Sequence, residues 1–312
     1  MDQASAFSFS TIDVLRAAER ENVLALIVGT QGPSYRPVGA VMRFFADGTS
    51  IGTLSSGCIE ADLALQAHDT LRSGRARLVR YGQGSPYMDI KLPCGGGLEI
   101  FLLPKPCEAT LGAIVERLDS RMGVSLCVDL ISGALSLSGT KQPHRTESSF
   151  AVYYGPEPKF IVFGKGPEAA MFTALTETLG FPNVLLSPDL ETLEMAGQAG
   201  DRRLYLPQPF LPETVSIDPS SAVLLFFHDH DWEPPILMAS LQSEAFYIGA
   251  QGSLLARQQR DLELKMAGAS AEQLQRIRGP IGLIPSARDP RSLAVSVLAE
   301  VLKVRPQMHS QS

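Results

Sequence analysis

The run Phe160-Ile161-Val162-Phe163-Gly164-Lys165-Gly166-Pro167-Glu168-Ala169 restricts what this chain can fold into more than any other feature. A continuous apolar stretch of this kind reads as a strand buried on both faces, which belongs in a parallel sheet covered by helices. It stops at Gly164, turns through Gly166 and opens a helical pattern that runs to Leu179-Gly180. The first glycine permits the turn, the second lets an anionic group approach the backbone, and Ala169 stands where helix and strand touch. Strand-like segments at Val184 to Leu186, Arg203 to Leu206, Ala222 to Phe227 and Phe246 to Ile248, with helices between several of them, extend the pattern into a doubly wound parallel sheet.

The first half has a different texture. An opening helix over Ile12 to Glu21 leads to the buried strand Val23 to Val28. Val41 to Phe45 and Thr49 to Leu54 flank Ala46-Asp47-Gly48, a hairpin signal, because Asp-Gly supplies the positive φ of a tight turn. Ile59, Leu63, Ala67 and Leu71 then mark one face of a helix that Gly74 stops. Leu98 to Leu103 reads as a strand, Leu111 to Leu118 as a helix, and Val124 to Leu137 as a hairpin through Ser132-Gly133. The expected class is α/β: an N-terminal mixed α+β domain (residues 1–138), a polar linker (139–158) and a Rossmann-like doubly wound parallel-sheet domain (159–312).

Two cysteines sit in glycine-rich turns of the first domain: Ser55-Ser56-Gly57-Cys58-Ile59-Glu60 and Pro93-Cys94-Gly95-Gly96-Gly97. Unpaired N–H groups at a helix start favour a thiolate, the form that attacks sulfur and binds soft metals, while Glu60 and Asp62 in the same turn oppose it. Cys58 and Cys94 are thus candidates for sulfur or metal contact. The bland alternative is a small residue in a tight turn. Cys107 and Cys127 read as structural. Arg72, Arg75, Arg77 and Arg80 follow the helix that Cys58 precedes; they are placed either to face an anionic ligand or to lie solvated near a helix end.

Composition narrows the function classes. With 312 residues, 45% of them hydrophobic and 19% charged, the chain is long enough for two packed domains. A net charge of −6 argues against a general nucleic-acid binder. The four cysteines form no C-x-x-C pair and no zinc-finger spacing, and no apolar run reaches the length of a membrane span, so a cytoplasmic protein working on proteins and small molecules is expected.

In the second domain Gly164 and Gly166 are the candidate phosphate-binding turn. An acidic residue expected after the next strand to hold ribose hydroxyls is replaced by Ser187, with Asp189 two positions late. His228-Asp229-His230-Asp231 ends an apolar strand, where open α/β sheets bind ligands, and is placed to grip a metal or an anion. Of the arginines in the last helices, one or two are expected to reach a phosphate, Arg288 among them.

Taken together, Gly32-Pro33-Ser34-Tyr35-Arg36, Phe45-Ala46-Asp47-Gly48, Ser56-Gly57-Cys58-Ile59-Glu60-Ala61-Asp62, Cys94-Gly95-Gly96, Phe163-Gly164-Lys165-Gly166, His228-Asp229-His230-Asp231, Ala245-Phe246-Tyr247-Ile248-Gly249-Ala250 and Gly279-Pro280-Ile281-Gly282-Leu283 resemble the XdhC/CoxI family, accessory proteins of xanthine dehydrogenase and related molybdenum hydroxylases. The resemblance implies a chaperone that binds the molybdenum cofactor in its molybdopterin form. It further implies that the chaperone protects the cofactor while a cysteine desulfurase exchanges an oxo ligand for sulfur, and inserts it into apo-xanthine dehydrogenase or a related hydroxylase. Molybdenum cofactor biosynthesis proteins as partners and a homodimer are implied as well. Cys58 and Cys94 would contact the molybdenum or its sulfur, and a second-domain loop the pterin phosphate. Lys165, Pro167, Ser187, Ile284 and Ser286 depart from the family pattern. The rival reading is an NAD(P)-dependent oxidoreductase with His228 or His230 as acid/base.

Overall fold

A computed structural model describes residues 10–17, 20–82, 95–141, 143–197, 202–228 and 230–305. The chain divides into two compact units, Met1–Pro156 with Gln307–Ser312, and Glu157–Pro306.

In the first unit the described elements are α1 (Thr11–Arg16), β1 (Asn22–Gln31), β2 (Val41–Phe45), β3 (Ser50–Gly52), α2 (Glu60–Ser73), β4 (Arg77–Gly82), β5 (Gly97–Pro104), α3 (Glu108–Asp119), β6 (Val124–Asp129), β7 (Leu135–Ser138), β8 (His144–Arg145) and β9 (Ser149–Tyr154). Five of the strands form an antiparallel sheet in the order β3-β2-β1-β5-β4, and four form a second sheet, β7-β6-β9-β8. The pleat explains how the core divides. Ala25, Ile27, Val79, Tyr81, Ile100 and Leu102 point to one face of the first sheet and pack under Ile59, Leu63 and Ala67 at the start and on the apolar stripe of α2. Leu24, Leu26, Phe101 and Leu103 point to the other face and meet α1, α3 and the second sheet.

Among the described residues of the first unit, Arg43 is the one large cation whose side chain is fully buried. Its guanidinium donates to the Val14 and Leu15 carbonyls at 2.7 and 2.8 Å and to both oxygens of Glu108 at 2.7 and 3.0 Å. A buried charge survives only when paired and hydrogen-bonded, and this pairing ties α1, β2 and α3 together.

The segment 139–158, expected as a linker, is a correction. It carries β8 and β9, and Phe150, Val152 and Tyr154 of β9 are core residues. The polar run Thr140 to Ser149 masked a strand whose alternation is visible only once β6 is placed beside it, pairing Val124 with Tyr154 through to Asp129 with Ser149.

The second unit holds β10 (Lys159–Gly164), α4 (Pro167–Thr178), β11 (Asn183–Ser187), α5 (Leu190–Met195), β12 (Arg203–Tyr205), β13 (Ser221–Phe226), a 3-10 turn (His230–Trp232), α6 (Glu233–Leu241), β14 (Tyr247–Ala250), α7 (Leu254–Met266), α8 (Ala271–Gln275), β15 (Ile277–Arg278) and α9 (Pro290–Val304). All its paired strands are parallel, in the order β12-β11-β10-β13-β14-β15. Numbered from β10, this is 3-2-1-4-5-6, the Rossmann order. Alternate strand residues face opposite ways. Phe160, Val162, Leu224 and Phe226 pack against α4 and α9, whereas Ile161, Phe163, Val223 and Leu225 pack against α6 and α7.

Candidate functional site

The Cys58 turn is built by one carboxylate. Ser56 and Gly57 both have positive φ, 61° and 98°, so the chain doubles back and leaves Cys58 exposed. Such a turn needs fixing, because a non-glycine residue at positive φ is strained. Glu60 supplies the fixing. It accepts N–H bonds from Leu54, Ser55, Gly57 and Ile59 at 3.1, 2.8, 2.9 and 3.2 Å, and hydroxyl bonds from Thr53 at 2.8 Å and from Ser55. Burial pushes the Glu60 carboxyl up, but the donors, Ser55 first, outweigh it and hold it down at about 2. The N–H groups that sequence reasoning assigned to the thiol are turned toward this carboxylate. Cys58 is therefore presented outward by the turn, with the anion of the helix start supplied internally.

Where this turn lies follows from Tyr81. Its buried hydroxyl donates to Asp62 at 2.6 Å, pinning the first turn of α2 over the end of β4. There Gly82 pairs with Gly97 of β5, and Gly97 pairs with Gln31 at the end of β1. Gly95 and Gly96 run directly into β5, so the Cys58 turn and the glycine run share one end of the sheet. Gly96 is required for packing: a Cβ there would overlap the Pro33 carbonyl oxygen and lie 2.9 Å from that of Gln31. Gly95, at φ 72°, is exposed. Cys94, the other candidate, lies outside the described residues. Cys107 is exposed at the N-cap of α3, and its sulfur accepts from the Thr110 hydroxyl at 3.3 Å, which lowers its pKa; Cys127 is half-buried in β6.

In the second unit the strand order reverses between β10 and β13, and the candidate residues of Gly164–Gly166 and His228 sit at the carboxyl ends of these two strands. Gly164 is there for close packing: a Cβ would come 2.7 Å from the Phe226 carbonyl oxygen and 2.8 Å from the Ala169 methyl. The turn does not fit a dinucleotide. The Lys165 N–H donates to the Phe226 carbonyl at 3.0 Å, the Gly166 N–H to the Thr192 hydroxyl at 2.8 Å, and Pro167 has no N–H. Glu168 brings a carboxylate into the first helical turn, one oxygen buried without a hydrogen-bond partner among the described residues and the other 3.6 Å from His228 Nε2. A pyrophosphate there would face a negative charge with few donors to hold it.

The ribose side fails for the same kind of reason. Ser187 is fully buried at the end of β11, and its hydroxyl accepts from the Asp189 N–H at 3.1 Å. Asp189 is used as the N-cap of α5, accepting from the Thr192 N–H at 3.0 Å and hydroxyl at 2.5 Å, bonds that lower its pKa. Asp229 and the side chain of His230 lie outside the described residues, and Asp231 is in the 3-10 turn. Among the described residues no group of three or more His, Cys, Asp or Glu is placed to hold a metal ion. Arg288 is exposed in the loop before α9.

One polar feature of this edge had no sequence signal. Arg260 of α7 and Glu233 at the start of α6 are buried together, Nε to Oε2 at 2.6 Å, and Arg260 also donates to the Gln251 carbonyl at 2.7 Å. This pair fixes the turn that follows β14. Among the described residues no helix is long and apolar enough to cross a membrane.

Comparison with known proteins agrees with this architecture. A family model described as the XdhC and CoxI family matches residues 15–82, and one described as the XdhC Rossmann domain matches residues 160–301. The chain is 35% identical over 293 residues to the molybdenum cofactor insertion chaperone PaoD of Escherichia coli (strain K12), covering 93% of this chain and 85% of that protein. It is 24% identical to a Bacillus subtilis (strain 168) protein that is named as a probable xanthine dehydrogenase subunit, over 95% and 97% of the two chains. A crystal structure described as that of a xanthine dehydrogenase from Bacillus halodurans superposes with a TM-score of 0.76 at 23% identity, covering 96% of each chain, and shares the fold. With both halves matched by the family's own models and a 35% identical relative spanning nearly its whole length, this chain belongs to the XdhC and CoxI family.

Proposed function

We propose that this protein is a molybdenum cofactor chaperone. It binds the cofactor as molybdopterin, protects it during sulfuration by a cysteine desulfurase, and inserts it into a xanthine dehydrogenase-type molybdenum hydroxylase in the cytoplasm, working as a homodimer that receives its cargo from the cofactor biosynthesis proteins. The observation that carries this reading is the shared sheet end of the first unit, where an exposed Cys58 in a carboxylate-braced turn and the glycine run that follows Cys94 lie at the same ends of the strands. A sulfur ligand presented outward, as its thiolate, is of the soft type that can coordinate a metal such as molybdenum. The relative named as a molybdenum cofactor insertion chaperone supports the same role. In this account Cys58 and Cys94 contact the molybdenum or its sulfur, and a loop of the second unit holds the pterin phosphate rather than a redox nucleotide.

The test is to purify the protein from cells that make the cofactor and measure released pterin fluorescence and bound molybdenum, beside a titration with NAD(P)H. Pterin and molybdenum in equal amount, without saturable nucleotide binding, support the chaperone. Nucleotide binding with hydride transfer and no pterin would establish the oxidoreductase instead.

A further inference from the structure

At the switch point of the second unit, between the carboxyl ends of β10 and β13, the glycine turn offers a ligand acceptors where a phosphate would need donors. The Lys165 and Gly166 N–H groups are spent on the Phe226 carbonyl and the Thr192 hydroxyl, and Pro167 has none. Glu168 stands in the first turn of α4, its side chain 16% exposed, and a Cβ on Gly166 would lie 3.5 Å from its Oε2. That oxygen therefore lies against the turn itself.

The carboxylate is not held there by hydrogen bonds among the described residues. Oε2 is buried without a partner, and Oε1 is 3.6 Å from Nε2 of His228, beyond hydrogen-bond reach. Lys165, three residues earlier, acts electrostatically on Asp189. An acceptor buried without a donor is a standing cost, and a native structure that keeps one calls for a reason. The terminal torsion of a glutamate is broad, so a turn of the carboxylate breaks no hydrogen bond and brings both oxygens to the mouth of the crevice, past a His228 side chain that is 69% exposed. A ligand bearing donors recovers the cost.

We propose that Glu168 recognises a 2-amino-4-oxopyrimidine edge, the side of a pterin ring where a ring N–H and an amino group stand next to each other. Two adjacent donors match the two oxygens of a carboxylate as a guanidinium fork does, and bonds to an ionised acceptor are the strong ones. A phosphate brings only acceptors to this turn, so the pterin phosphate is held by another loop of the unit. The proposal rests on the chaperone reading for the pterin and on the turn for the donor edge. A guanine base carries the same edge, and the test separates the two.

The full chain, purified from cells unable to make the cofactor, is titrated calorimetrically with pterin, with lumazine, in which an oxo group replaces the 2-amino group, and with guanosine. The parent should bind pterin saturably and at least tenfold more tightly than lumazine, whose oxygen would face the carboxylate. Glu168→Gln should weaken pterin about tenfold and erase the preference, because an amide donates to a carbonyl and accepts from the ring N–H, an edge that lumazine also presents. A carboxylate serving only the helix dipole would change stability and leave the selectivity untouched. Glu191→Gln, at an exposed carboxylate in the first turn of α5, should change nothing. No saturable pterin binding in the parent, or equal affinity for pterin and lumazine, overturns the site even if Glu168→Gln folds poorly. A preference that survives in Glu168→Gln overturns it as well. Pterin bound equally by parent and Glu168→Gln protein from cofactor-making cells, with no preference over lumazine, removes the site and leaves the chaperone. Guanosine bound more tightly than pterin through Glu168, with no pterin in protein from cofactor-making cells, keeps the donor-edge site and removes the chaperone reading.

Discussion

Replacing Glu60 by Gln tests how the Cys58 turn is held. The carboxylate collects four backbone N–H bonds and two hydroxyl bonds, and its pKa falls from an ordinary 4.5 to about 2. At about 1.4 kcal/mol for each pH unit the full shift corresponds to roughly 3 kcal/mol. Because the side chain is only half-buried, solvent screening reduces this to roughly 1–2 kcal/mol. Glutamine keeps one oxygen but turns an amide N–H toward backbone donors, so most of that stabilisation is lost. The sign of the pH dependence is fixed: a carboxyl depressed in the folded state contributes fully above its unfolded pKa of about 4.5, and the contribution fades as pH falls toward 2. Urea unfolding at pH 7 should therefore show the variant destabilised by about 1–2 kcal/mol at unchanged slope, and the gap should narrow in measurements below pH 4.5. A variant as stable as the parent at pH 7, or a gap that does not depend on pH below 4.5, would refute the argument that Glu60 builds this turn as an anion.

Three further outcomes follow from the same geometry. Glu233→Ala strands the buried Arg260 guanidinium and should cost about 3–5 kcal/mol, read as a drop in the urea midpoint; a loss below about 1 kcal/mol would show that the pair is solvated. Gly96→Ala forces a methyl against the Pro33 carbonyl and should cost about 1–3 kcal/mol, more than Gly57→Ala, whose Cβ would meet nothing within 4 Å and whose cost is the roughly 1 kcal/mol of positive φ; thermal unfolding of the two variants gives the order. NADH should not bind the parent saturably up to about 1 mM by fluorescence titration, a concentration that corresponds to about 4 kcal/mol of binding; saturation below it would mean that Glu168 moves aside.

The parts of the fold legible in the sequence were those with strong local periodicity. The apolar run into Gly164 marked a parallel strand, Asp47-Gly48 marked the hairpin that became β2 and β3, and the four-residue spacing of Ile59 to Leu71 marked α2. What stayed hidden depends on partners distant in the chain. Strand β9 borrows its register from β6, and β15 has only two residues, paired to Ile248 and Gly249. The candidate site was legible in residue type but not in wiring. Cys58 was visible as a thiol before a helix, yet only the structure turns the N–H groups of its loop onto Glu60. Arg80 was visible among four arginines, but the pleat alone separates it from Arg77, and Arg145, which approaches the Glu99 carboxylate that Arg80 bonds, came from a stretch that read as linker.

The most direct test of the central claim, that the thiol-bearing sheet end of the first unit holds the molybdenum cofactor, is the molar ratio of pterin and molybdenum to protein in the purified parent and in its Cys58→Ala and Cys94→Ala variants. The account predicts bound cofactor in the parent and a loss of most of it in the Cys58 variant while thermal unfolding stays unchanged, as expected for an exposed side chain. Equal pterin and molybdenum in the parent and both variants would contradict it.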